Sequence, residues 1–183
     1  MLFPENEIVE VFRNGSEEEK RQAFGLLVSE YSQKLYWLIR RIVISHDDAN
    51  DVLQNTFVKA WLNLESFMGY SKLYTWLFRI ALNESLSFLN RRPCTLPMDA
   101  DVVRSLEQQL ECDPFFDGNE TEKRLQLAIA SLPEKQRLVF NLKYFDEMKY
   151  EDMSRLLGTS VGALKASFHI AVKKIETYFK TTD

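Results

Sequence analysis

The segment FGLLVSEYSQKLYWLIRRI, Phe24 to Ile42, decides the fold. Its apolar residues Phe24, Leu27, Val28, Tyr31, Leu35, Leu38, Ile39 and Ile42 recur at steps of three and four, which gathers them into one stripe along a long helix. Downstream, Asp47 and Asp48 supply N-cap chemistry for a second helix. On it Val52, Leu53, Phe57, Ala60 and Trp61 can bury while Asp51, Gln54 and Asn55 stay outside. A third helical stretch, Lys72 to Asn90, is apolar over most of its circumference. No alternating pattern with hairpin turns competes, so the expected class is all-α.

Composition agrees. The chain has 183 residues, 45% of them hydrophobic and 13% aromatic, with only 6 Gly and 5 Pro, which argues against a disordered, collagen-like or disulfide-built chain. Met1 to Asn6 carry no basic region followed by an apolar run, and no stretch nears the roughly 20 apolar residues that span a bilayer. The expected location is the cytoplasm, without direct membrane insertion. Two cysteines, Cys94 and Cys112, are too few for a disulfide framework or a zinc site and read as reduced thiols, a redox pair being the alternative. His46 and His169 stand far apart and read as ordinary surface or packing residues, so no metal or cofactor is expected.

The net charge of −4 conceals a segmental pattern. Residues 1–51 are acidic and 52–92 basic; 93–118 carry one basic and six acidic side chains, and 119–183 are again mildly basic. The acidic middle holds three of the five prolines and both cysteines. It reads as a flexible linker between two small helical domains, with a short helix conceivable around Val102 to Leu110. Its acidity either mimics nucleic acid or simply keeps it solvated.

In the second domain, Tyr150 to Leu157 form a short amphipathic pattern with Met153, Leu156 and Leu157 inward, and Gly158 suits a left-handed position after it. Ser160 can cap a longer helix from Val161 to Phe179, giving helix, turn, helix. Val161, Leu164, Phe168, Ala171, Val172 and Ile175 share one face of it. The opposite face holds Gly162, Ala163, Ala166, His169, Ile170 and Lys173, with Lys165 and Ser167 at its edges. Such a face suits a major groove, with Lys173 and Lys174 reaching phosphates. The same pattern also suits two amphipathic helices that merely pack together.

The first domain carries a different chemistry. Phe67, Met68, Gly69, Tyr70 and Ser71 read as an exposed loop. On the helix that follows, Thr75, Arg79, Asn83 and Ser87 make a narrow polar stripe beside Phe67, Tyr70, Tyr74, Trp76 and Phe78. Aromatic rings with Arg and Asn suit unpaired bases, which stack on rings and offer a Watson-Crick edge that a duplex hides. Core packing is the competing reading, and Trp76, Leu77 and Ile80 are expected in the core.

These segments together resemble a bacterial RNA polymerase sigma factor of the sigma-70 family, extracytoplasmic-function group. Asp48-Ala49-Asn50-Asp51-Val52-Leu53-Gln54-Asn55-Thr56-Phe57-Val58-Lys59-Ala60-Trp61 resembles region 2.2, and Tyr74-Thr75-Trp76-Leu77-Phe78-Arg79-Ile80-Ala81-Leu82-Asn83 resembles regions 2.3 and 2.4. Leu132-Pro133-Glu134-Lys135-Gln136-Arg137-Leu138-Val139-Phe140, followed by Ser160 to His169, resembles region 4. The Gly162-Ala163-Leu164-Lys165-Ala166-Ser167 form is similar to a variant in sigma factors of the Bacteroidetes. The resemblance implies three parts: region 2 over 1–92, an acidic linker over 93–118 and region 4 over 119–183.

The resemblance also implies roles. Asp48, Asp51, Gln54 and Asn55 would face the clamp helices of core RNA polymerase, although most relatives carry Glu where Asn55 stands. Phe67 and Asn83 would line a pocket for a flipped base of the −10 element, with Tyr70 beside them and Arg79 supporting the strand. Ser160, Lys165, Ser167, Phe168, His169 and Lys173 would serve the −35 element, although the commoner pattern has Arg at the positions of Ser167 and Ile170. The expected partners are core polymerase, promoter DNA (duplex at −35, single-stranded at −10) and an anti-sigma factor, with no small-molecule substrate. The expected action is binding without catalysis, for no acid-base pair, activated nucleophile or phosphate-cradling glycine loop stands out. A polymerase-independent helix-turn-helix regulator is the alternative.

Overall fold

The computed structural model describes residues 5–91 and 119–181, with side-chain environments from residue 7 onward. The expected linker, the short helix conceived within it and both cysteines lie outside the described residues. Every regular element among the described residues is helical, and the helices fall into two compact units. None of them is long and apolar enough to cross a membrane.

In the first unit α1 (Glu5–Asn14) leads into α2 (Glu17–Val43), α3 (His46–Asn63), a 3-10 turn (Leu64–Ser66) and α4 (Leu73–Arg91). The short amphipathic helix α1 has no counterpart in the periodicity of the sequence; among its described side chains Ile8 and Phe12, one turn apart, are buried. It ends where the Gly15 N–H bonds the Val11 carbonyl at 2.7 Å. A β-carbon at Gly15 would stand 2.6 Å from that oxygen, so the close turn into α2 requires glycine. A capping box then starts α2: Ser16 Oγ accepts from the Glu19 N–H, and the Ser16 N–H donates to Glu19 Oε2 at 2.7 Å. Those bonds to Ser16 hold the Glu19 carboxyl below its usual range.

The stripe of α2 buries as its spacing predicts, with Leu27, Leu35, Leu38, Ile39 and Ile42 inaccessible or nearly so. At its end Ile44 takes φ +73° and the Ser45 N–H bonds the Val43 carbonyl at 3.0 Å, a γ-turn that reverses the chain within one residue. The cap of α3 differs from expectation. Ser45, whose Oγ accepts from the Asp48 N–H, is the N-cap, and Asp47 and Asp48 lie inside the first turn. There their charge favours the positive end of the helix dipole instead. Helices α2, α3 and α4 pack mutually, and Leu64, Leu73, Leu77 and Leu82 of this unit are fully buried.

The second unit comprises α5 (Glu120–Ala130), α6 (Glu134–Tyr144), α7 (Tyr150–Leu157) and α8 (Val161–Thr181). Ala128, Ile129, Leu132, Phe140, Ala171 and Ile175 form its core. Arg137 is buried beside the α5–α6 turn, where Nη1 donates to the Leu132 carbonyl at 3.2 Å. Burial pulls its guanidinium down to about 10, opposed by the nearby Glu134 charge, so it stays protonated at neutral pH.

Candidate functional site

Three faces carry the residues singled out in the sequence. On α3, Ala49, Val52, Thr56, Phe57 and Ala60 point into the core, and the Thr56 hydroxyl is spent on the Val52 carbonyl at 2.8 Å. The outward side holds Asp51, Gln54 and Asn55, all exposed, with Asp48 half-buried at the start. Val58 and Leu62 continue this face at 58% and 71% exposure. The sequence analysis assigns them no role, and their spacing of three and four residues from Asn55 and Val58 is the signal that marks them. Lys59 pairs with Glu84, tying α3 to α4. Polar groups beside exposed aliphatic side chains are what a protein-docking face presents.

The second face is the polar stripe of α4. Arg79 and Asn83 are exposed and Thr75 and Ser87 half-buried, each about one turn, or ~6 Å, from the next. The stripe is accessible because its helix buries the other side through Leu77, Phe78, Ala81, Leu82 and Ser85. Tyr70 is 91% exposed in the preceding loop, where Gly69 takes φ +74° and turns the chain outward.

Phe67 departs from the expected exposed loop. It is 8% exposed, with its ring 5.3 Å from Trp76. Its N–H remains bonded to the Leu64 carbonyl at 3.1 Å, and this 3-10 geometry aims the side chain inward. What it offers outward is one wall of a cleft of about 320 Å³ shared with Val9, Glu10, Arg13, Asn14, Met68 and Gly69. Tyr74 and Phe78 are also engaged, Tyr74 with Tyr31 at 5.9 Å and Phe78 with Tyr74 at 6.2 Å. Leu77 is buried, whereas Trp76 and Ile80 are half-buried.

The third face is the outer side of α8. Gly158 closes α7 in the left-handed conformation at φ +62°, and Ser160 Oγ accepts from the Ala163 N–H at 3.3 Å to start α8. Gly162, Ala163, Lys165, Ala166, His169, Ile170, Lys173 and Lys174 are exposed and Ser167 half-buried. Small residues at the N-terminal end of this face allow close approach to another surface.

Phe168, given a −35 role by the resemblance, lies on the inward face that its spacing assigns to it. It is half-buried, and its ring stacks on Phe140 at 5.7 Å and 15°, so it holds α8 on α6. One feature escaped the sequence because α6, α7 and α8 must fold to assemble it. Lys143 and Lys165 place their Nζ atoms 5.2 and 5.7 Å from the centre of the Tyr150 ring, a cation-π arrangement that steadies Lys165. Burial pushes the Tyr150 phenol up.

The sequence matches the models of sigma-70 region 2 over residues 27–93 and sigma-70 region 4 over residues 122–175. It is 34% identical to an ECF RNA polymerase sigma-E factor of Haemophilus influenzae, over 85% of this chain and 87% of that protein. It is 33% identical to the RNA polymerase sigma-H factor of Pseudomonas aeruginosa, over 85% and 86%. Among solved structures, CnrH in complex with the cytosolic domain of CnrY matches with a TM-score of 0.61 at 23% identity, over 98% of this chain and 99% of that one. The sigma factor RpoE of Bartonella quintana, bound to the anti-sigma factor NepR, matches at 0.60 and 22%, over 86% and 96%. These two likenesses are of fold. With both regions matched in order and relatives above 30% identity along most of its length, the chain belongs to the extracytoplasmic-function group of the sigma-70 family.

Proposed function

We propose that this chain docks on core RNA polymerase, reads a duplex −35 element with α8 and captures unpaired bases of a −10 element with the α4 stripe and its loop. Strand opening is then driven by binding energy without catalysis. One observation carries the reading: a single chain presents an accessible Arg79 and Asn83 stripe on one unit and a small-residue, lysine-edged helix face on the other. The first suits exposed base edges and the second a duplex groove. A net charge of −4 supports dependence on a larger, basic partner, because affinity for DNA phosphates grows with each charge neutralised.

In this scheme residues 1–92 act as region 2, 93–118 as linker and 119–183 as region 4. Asp48, Asp51, Gln54 and Asn55 form the polymerase-facing side of α3. Tyr70, Arg79 and Asn83 serve the single strand, with Phe67 supporting the loop from beneath. Ser160, Lys165, Ser167, His169 and Lys173 serve the duplex, with Phe168 packing behind them. The protein works in the cytoplasm. The Gly162 to Ser167 form is read as Bacteroidetes-like, on those six residues alone. Of the two solved structures of similar fold, the sigma factor RpoE is bound to the anti-sigma factor NepR and CnrH to the cytosolic domain of CnrY, and an anti-sigma factor is the regulator proposed here.

Run-off transcription with purified core polymerase on genomic fragments tests this function: discrete transcripts that require the chain support it, and their absence on every fragment refutes it. The helix-turn-helix of α7 and α8 by itself also suits a regulator independent of polymerase. That reading predicts a sequence-specific gel shift with the purified chain alone. Lys173→Ala provides a finer check. It is expected to weaken holoenzyme binding to all promoters alike, and to flatten the log K against log salt slope by about 0.9, as for one lost phosphate contact. Loss confined to particular −35 sequences would instead make Lys173 a base reader.

A further inference from the structure

Helix α1 takes no part in the roles assigned above, yet it reaches the loop that leads into α4. Phe12 is buried, its ring edge-on to Trp61 at 5.1 Å and tilted against Phe24 at 6.0 Å, which fastens α1 to α2 and α3. The next residue, Arg13, extends Nη2 to the Phe67 carbonyl and donates a hydrogen bond of 2.6 Å across 54 positions of sequence. The Phe67 N–H is already bonded to Leu64, and its ring already rests on Trp76. The base of the loop is therefore held at its N–H, its carbonyl and its ring. Immediately beyond, Met68 and Tyr70 are 67% and 91% exposed.

The carbonyl is the decisive point of the three. The peptide plane it belongs to also contains the Met68 N–H, so a guanidinium that fixes the oxygen fixes the direction in which the chain leaves the fold. The positive φ of Gly69 then turns that direction toward Tyr70 and α4. A hydrogen bond from a charged donor is the stronger kind, and the Phe67 residue beneath it is nearly inaccessible to water.

We propose that Arg13 is a positioning residue for single-strand capture. From α1 it orients the 68–70 segment, so that Tyr70 meets the strand in register with Arg79 and Asn83. Misplacement by about 1 Å suffices to spoil contacts of this kind. The inference rests on the single-strand role proposed above for that loop.

The test uses holoenzyme assembled from core polymerase and the full chain. A randomised pool of short single-stranded DNA is selected on the wild type, and the enriched oligonucleotide is then titrated by fluorescence anisotropy. Arg13→Met keeps the aliphatic length but removes charge and donors. It is expected to weaken binding of that oligonucleotide about fivefold and to blur the base preference at one or more enriched positions. Affinity for core polymerase is expected to stay as in wild type, and the thermal midpoint to fall by no more than the few degrees that one lost hydrogen bond implies. Arg13→Lys, which restores a cationic donor, is expected to recover a substantial part of both affinity and preference.

Unchanged affinity and preference in Arg13→Met would overturn the proposal. So would an equal fall in core association, which marks a structural residue, or an Arg13→Lys chain no better than Arg13→Met. A wild-type holoenzyme that enriches no sequence would defeat the single-strand reading itself. An enriched sequence that Arg13→Met binds as well as wild type defeats only the positioning role.

Discussion

Replacing Asp51 by Lys together with Gln54 by Ala is expected to weaken association with core RNA polymerase about a hundredfold. Both side chains stand on the outward face of α3, and neither contributes to the core formed by Val52, Thr56 and Phe57. A charge that becomes desolvated and hydrogen-bonded at an interface costs about 2–5 kcal/mol when lost, and 2.8 kcal/mol corresponds to the hundredfold. Reversing the sign adds repulsion from whatever cation Asp51 meets. Stability of the free chain should change little, because substitutions at exposed helix positions usually fall within about 0.5 kcal/mol. Titration of labelled core polymerase with the double variant, alongside a thermal melt, measures both quantities. Wild-type affinity would remove this face of α3 from the interface, and a collapsed melting temperature would make the residues structural.

Asn83→Ala carries the second large effect, a tenfold to hundredfold slowing of promoter opening with core association intact. The exposed amide of Asn83 has both a donor and an acceptor, enough for a bidentate pair with one base edge, and such a pair is worth about 1–3 kcal/mol of discrimination. Opening followed by the fluorescence of 2-aminopurine in the −10 element, with core affinity measured in parallel, separates the two. Equal losses in both would mean that Asn83 shapes α4 instead of receiving a base. A duplex-only contact would show as a defect that a pre-opened template does not relieve, whereas base capture predicts that pre-opening restores much of the rate.

Much of the fold could be read from spacing. The stripes of α2, α3 and α8 turn inward as their three- and four-residue steps require, with Val161, Phe168 and Val172 of α8 half-buried, and Gly158 takes the left-handed conformation that its position after α7 demands. Helix α1 is hard to read because, among its described side chains, only Ile8 and Phe12 are buried, and two residues one turn apart do not establish a period. Helix α6 enters through the family resemblance of Leu132 to Phe140 rather than through periodicity, and α5, which ends at Ala130, lies before that stretch and has no counterpart in the sequence analysis. Ser45 outcompeted Asp47 and Asp48 as cap because a one-residue γ-turn at Ile44 brings the helix start forward to His46.

The site residues divide along the same line. Asp51, Gln54, Asn55, Arg79, Asn83, Lys165, His169 and Lys173 are exposed, as polar positions opposite an apolar stripe should be. Phe67 is harder, because it precedes α4 and belongs to no stripe, and only the position of Trp76 turns its ring inward, whereas Phe168 stacks on Phe140 from the apolar face that its spacing assigns to it. The Arg13 bond to Phe67 and the Lys143, Tyr150 and Lys165 group join residues brought together by folding alone. No local pattern announces them.

Everything proposed for these faces requires that the chain act as a subunit of polymerase. Mixing the purified chain with core RNA polymerase at micromolar concentration, with any inhibitor absent, and following the pair by size-exclusion chromatography measures this directly. A stoichiometric complex that elutes with core enzyme and then initiates transcription is the predicted result. Separate elution of the two components, together with tight sequence-specific DNA binding by the chain alone, would contradict it.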